Sequence, residues 1–251
     1  MNTIYATPEA DLRDDSPSDR AGGSVEAAIA GDIEISMSKT MGEAWRNLKG
    51  FKFKTLIALL LYMLVAIVAS LLSIPVIFGL GAIGADQNSA TIVGSLIQMV
   101  ASLAIMPMFI GIHIMGMRHA ENKSVSVGSI FGYFNRAPRV ILCYLLMTIM
   151  IMLGMVLLIL PGIYLMFAYM FALPLVVEKN MPAWRALETS RKALTRKWFS
   201  IFGVLLLIGL VNSLAILTLG IAWVWTIPWS VLTMSMIYTR LFGAEPHTLA
   251  D

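Results

Sequence analysis

The sequence predicts an all-α membrane protein: six transmembrane helices arranged as three hairpin repeats, each preceded by a cytoplasmic amphipathic interfacial helix. Three observations lead there. Of 251 residues, 58% are hydrophobic and only 13% are charged, against about 25% charged in an ordinary soluble domain. The apolar residues gather in uncharged runs about as long as the roughly 20 residues a helix needs to cross the hydrocarbon core. All 18 Lys and Arg residues fall in the N-terminal region, in the connectors after the second and fourth runs, or just after the sixth run. The turns after the first, third and fifth runs hold none, which is the pattern of the positive-inside rule.

In chain order, residues 1–34 are rich in Asp, Ser, Ala and Gly and poor in large apolar groups, so they read as a disordered cytoplasmic tail. They contain no apolar stretch of the kind a cleaved signal peptide needs. The membrane domain occupies 35–243. Thr40-Met41-Gly42-Glu43 fits a capping box at the start of a short amphipathic helix, with Met41, Ala44, Trp45 and Leu48 on one face. The first span covers about 55–79, with Pro75 and several glycines loosening its far end, and Asp86 and Asn88 mark a short loop. The second span, about 91–117, is followed by a connector, Ser124 to Arg136, that reads as a short interfacial helix broken by Pro138. The third span covers about 140–160, and Pro161-Gly162 is expected to turn the chain. The fourth, about 163–177, contains Pro174 and ends at Glu178 and Lys179. Pro182 opens a third amphipathic helix with Trp184, Leu187 and Leu194 on one stripe. Its other stripe carries Glu188 and Lys192 in the favourable i, i+4 order. The fifth and sixth spans, about 199–217 and 221–238, are joined by Thr218-Leu219-Gly220, and residues 244–251 read as a second free cytoplasmic tail.

The repeat is carried by Ala44-Trp45-Arg46-Asn47-Leu48 and Ala183-Trp184-Arg185-Ala186-Leu187, each placed ahead of basic residues and a pair of uncharged spans. Phe131 stands in the middle copy where the others have Trp. An even number of spans puts both termini on one side, and the basic residues make that side cytoplasmic. Trp223, Trp225 and Trp229 are then expected at the outer end of the sixth span, as an aromatic belt.

The composition argues against several function classes. The spans hold no Asp, Glu, Lys or Arg, whereas ion-coupled transporters and proton pumps usually keep ionisable groups along their path. Gln98, His113 and Asn212 are the strongest polar groups at membrane depth. They suit either hydrogen bonds between helices or the lining of a small polar pocket. His113 and His119 are six residues apart, off the spacing for two ligands on one helical face, and Cys143 is the single cysteine. No metal, cofactor or catalytic constellation is expected, and no nucleic-acid partner. The most suggestive group is basic: Arg185, Arg191, Lys192, Arg196 and Lys197 lie where they meet the inner leaflet. Each such charge near the surface attracts anionic lipid by about 1 kcal/mol.

Leu160-Pro161-Gly162-Ile163-Tyr164, then Pro174 and Glu178, then Ala186 to Ser190 and the basic helix beyond, resemble a bacterial pattern. It is that of the membrane domain fused to some glycerophosphodiester phosphodiesterases, and of stand-alone relatives of unknown function. The resemblance implies a multi-pass protein of the bacterial inner membrane, with Pro161, Gly162, Pro174 and Glu178 as structural positions. No tract between the spans is long enough for the phosphodiesterase domain, so it implies no enzymatic activity. The expected function is a non-catalytic module that supports membrane or lipid homeostasis or scaffolds a partner, with anionic lipids, a protein partner or a second copy as its contacts. A permease or channel for a small or amphipathic solute is the alternative, and a membrane-embedded enzyme the least favoured.

Overall fold

Uncharged runs of this length can satisfy all their own backbone groups in hydrocarbon by forming helices. The computed structural model, which describes residues 23–84 and 86–249, is all-helical over those residues, with no strand. A short α1 (Val25–Ala30) precedes α2 (Met37–Arg46). Next come α3 (Lys52–Leu71), α4 (Ser73–Ala82), α5 (Gln87–Ala104) and α6 (Met106–Ala120). Two 3-10 turns, Val127–Phe131 and Phe134–Arg136, lead into α7 (Ala137–Leu157), α8 (Ile159–Ala168) and α9 (Ala172–Glu178). The chain ends through α10 (Ala183–Thr195), α11 (Trp198–Leu214), α12 (Trp223–Phe242) and α13 (Pro246–Leu249). By length and composition, 5 helical stretches can cross a membrane: Lys52–Ala82, Gln87–Ala120, Val127–Leu157, Ile159–Glu178 and Trp198–Thr218. The chain is therefore a multi-pass helical membrane protein.

The first hairpin pairs α3 and α4 with α5 and α6. Phe51 stacks on His119 at its base, the Tyr62 and Phe109 rings meet farther along, and Gln98 donates to Ser70 at 3.0 Å beyond them. Its tip forms where Gly84 adopts a positive φ and Asp86 caps α5 by accepting from the Ser89 N–H at 3.1 Å. The second hairpin pairs α7 closely with α8. In the third, Leu219 and Gly220, both at positive φ, turn the chain between α11 and α12 as the sequence predicts.

Helix α12 is not among the 5 span-length apolar stretches. Three Trp, three Thr, two Ser and Arg240 lower its hydropathy. It is nevertheless largely enclosed, packed against α6, α2, α3, α11 and α1, with 13 of its 20 residues buried.

Several local expectations are corrected. Ser36, not Thr40, caps α2, and the Thr40 hydroxyl donates to the Ser36 carbonyl at 2.9 Å. Glu43 is held by Arg240 of α12, which also reaches Thr40, so neither member of the expected capping box is free to cap. The connector 124–136 forms two 3-10 turns instead of an interfacial helix, and Pro138 begins α7 instead of breaking a helix, a position where its missing N–H costs nothing.

Pro161-Gly162 is not the turn. The chain reverses at Leu158, in extended backbone, and both residues lie in the first turns of α8. The glycine serves packing: a Cβ on Gly154 would come within 3.0 Å of the Gly162 backbone, so the two helices touch through their glycines.

The expected tails are also partly ordered. Residues 1–22 lie outside the described residues. Ser24 caps α1, however, and Ala28 is buried, so ordered structure begins before residue 35. At the other end Glu245 is engaged by Lys179 and Glu178, and Thr248 is buried. Residues 250–251 lie outside the described set. Trp229 and Trp225 are both engaged by the N-terminal part of the chain. The Trp229 indole donates to the Met41 carbonyl of α2 at 2.9 Å, and Lys52 at the base of α3 sits over the Trp225 ring. An indole N–H among helices needs a partner, and α2 supplies it.

Candidate functional site

Hydrogen bonds tie together several of the charged connectors between the helices. Arg139 donates to the Asn180 side chain at 2.7 Å, Lys179 to Glu245 at 2.8 Å, and Arg240 to Glu43. At the centre is Glu178, fully buried. It accepts from the Tyr238 hydroxyl at 3.0 Å and from the Glu245 backbone N–H, and Lys179 lies 3.6 Å away. A buried carboxylate is tolerable only with such partners. Glu178 therefore locks the end of α9 to the end of α12 and to the segment after it. Nearby, burial raises the Glu121 carboxyl above its usual range, and the Arg240 charge partly opposes that.

The fourth span is not continuous. It breaks at residues 169–171, between α8 and α9, because Pro174 has no N–H to offer the preceding turn. Ser190 of α10 repairs the gap: its hydroxyl donates to the Ala168 carbonyl at 2.7 Å and accepts from the Phe171 N–H at 3.3 Å. Sequence reasoning missed Ser190. Pro174 signals that a partner is needed in the span, but nothing local points to a serine 16 positions later.

The five basic candidates separate. Arg191 donates twice to Glu188, at 2.9 and 3.1 Å, and Lys192 lies 3.3 Å from the same carboxylate. The Arg191 hydrogen bonds hold the Glu188 carboxyl below its usual range, and Glu188 in turn raises Arg191. Arg185 instead lines a cavity of 580 Å³ between the start of α10 and the segment after α12, together with Lys179, Asn180, Glu26 and Glu245. Arg196 lies against Gly31 at the end of α1, and Lys197 sits at the start of α11. Among the described residues, Arg185, Arg196 and Lys197 have no acidic partner.

The three intramembrane polar candidates do not converge. Gln98 is held by Ser70. Asn212 donates to the Ile208 carbonyl and the Ser230 hydroxyl at 2.8 and 2.9 Å, and accepts from Thr226 at 2.9 Å. The His113 ring meets Phe109 edge to face, while its backbone carbonyl accepts from Ser235 at 2.9 Å. Gln98 and Asn212 act as separate ties between helices, whereas the His113 ring contact lies within α6. Among the described residues, no group of three or more His, Cys, Asp or Glu could hold a metal ion. Compared with protein families, with curated proteins and with solved structures, the chain finds no match.

Proposed function

We propose that this chain is a non-catalytic lipid-binding module of the bacterial inner membrane that supports membrane or lipid homeostasis. In this reading it crosses six times, as three hairpin repeats. Helix α12 is the sixth crossing, and both termini and the charged connectors face the cytoplasm. The observation that carries the reading is the set of cations without an acidic partner among the described residues, Arg185, Arg196 and Lys197, the last two at the start of the apolar helix α11. Phe199, two residues past Lys197, is 83% exposed. Cations so placed attract anionic headgroups.

The test is native mass spectrometry of the purified protein with phosphatidylglycerol and phosphatidylcholine. Neutralising Arg185, Arg196 and Lys197 to Gln should weaken phosphatidylglycerol retention by roughly fivefold per charge. Neutralising Arg191 and Lys192, which share Glu188, should do less. Unchanged retention with topology intact would sink the proposal.

A further inference from the structure

We propose that the groove between α2 and α11 is a binding site for one anionic phospholipid, with an acyl chain in the groove and its phosphate at Lys39 and Lys197. This deepens the lipid-binding reading and rests on it.

The groove has a volume of 740 Å³, within the roughly 300–1,000 Å³ typical of ligand sites. Its walls are the Ser38–Gly42–Trp45 face of α2 and the Ser200–Gly203–Leu207–Val211 face of α11, with Trp229 as its floor. Gly42 and Gly203 keep it open, since a Cβ on either would meet nothing within 4 Å. Trp229 is fixed there by its bond to the Met41 carbonyl and by edge contact with Trp45. The groove is thus a stable depression rather than a gap that side chains can close.

Its chemistry changes along its length. On α11 it begins at the hydroxyl of Ser200 and continues through Leu207 to Val211, a run of about 16 Å at helical rise. A phospholipid has the same polarity order: ester and phosphate first, then hydrocarbon. At the hydroxyl end, Lys197 is one helical turn before Ser200, and Lys39 adjoins Ser38. Among the described residues neither lysine has an acidic partner, whereas Arg191, Lys192 and Arg240 do. The unpaired charge sits where a headgroup would emerge.

The competing occupant is a helix from a second copy. Such a helix would bring no anion to Lys39 and Lys197, which a phospholipid headgroup supplies. A single hydrocarbon chain suits an open groove bounded by two glycines.

The experiment uses the full chain in detergent with phosphatidylglycerol carrying a photoreactive acyl chain. Gly203→Leu should fill the groove without clash and lower both tight lipid retention and cross-linking to peptides containing Met41 or Leu207, by roughly tenfold. Gly79→Leu, equally uncrowded but far from the groove, should change neither. Lys39→Gln with Lys197→Gln should remove the preference for phosphatidylglycerol over phosphatidylcholine while cross-linking within the groove continues. Gly203→Leu leaving retention and cross-link positions as in the parent would overturn the site, as would a change of oligomeric state with lipid binding unaltered. A parent protein that retains no lipid at all would remove the broader reading as well, which separates the two failures.

Discussion

Helices α3 and α12 are the same length and are treated in opposite ways. Helix α3 is strongly apolar, yet only 2 of its 20 residues, Thr55 and Ala58, are buried. Helix α12 carries Thr, Ser and Trp throughout, and 13 of its 20 are buried. In water the more apolar helix would be the interior one. In a bilayer the lipid tails are as apolar as a protein core, so hydropathy reports contact with lipid instead of depth. What favours the centre is complementarity: small and hydroxyl side chains that let helices approach and exchange hydrogen bonds. Ser235 against Gly116 and the His113 carbonyl, and Tyr238 on Glu178, are the contacts that α12 makes and α3 does not.

The comparison can be broken by the same substitution in both helices. Leu232→Ala in α12 empties a fully buried site and should destabilise by about 2 kcal/mol or more, read by unfolding in detergent. Leu64→Ala in α3, where the leucine is 56% exposed, should cost well under 1 kcal/mol, because lipid or detergent refills the space. Equal losses would mean that α3 is covered by protein.

A smaller effect sharpens the contrast within one span. Ser190→Ala leaves the Ala168 carbonyl and the Phe171 N–H without their partner, at a cost of about 1–3 kcal/mol. Hydrogen exchange should rise at 168–172 and stay flat in α7.

The smallest effect lies at the surface. Glu188 is lowered from 4.5, chiefly by the Arg191 hydrogen bond. Its contribution is present above that ordinary value and is lost as pH falls through the depressed one. An exposed helical pair of this kind contributes about 0.3–0.5 kcal/mol. Glu188→Gln should therefore match the parent at low pH and fall slightly below it at pH 7. In lipid-binding assays at neutral pH the same variant, by freeing Arg191 and Lys192, should bind phosphatidylglycerol more strongly.

The apolar runs, the helices they form and the hairpin tips at Asp86 and at Leu219-Gly220 were legible in the sequence. Each depends on chain-local physics: the length of an uncharged run, a capping side chain, a backbone angle that needs a turn. Pro161-Gly162 misled because a Pro-Gly pair serves a turn and a close helix crossing equally well. Only the glycine facing it, Gly154, decides between them. Ser190, the lock on Glu178 and the division of the basic residues into paired and unpaired were likewise settled by distant contacts. So was the enclosure of α12. Residue order along the chain is enough to say which segments leave water. The tertiary structure alone decided which of them leave lipid, because that choice rests on the fit between helices and on partners for polar groups, and neither is written in one helix's own residues.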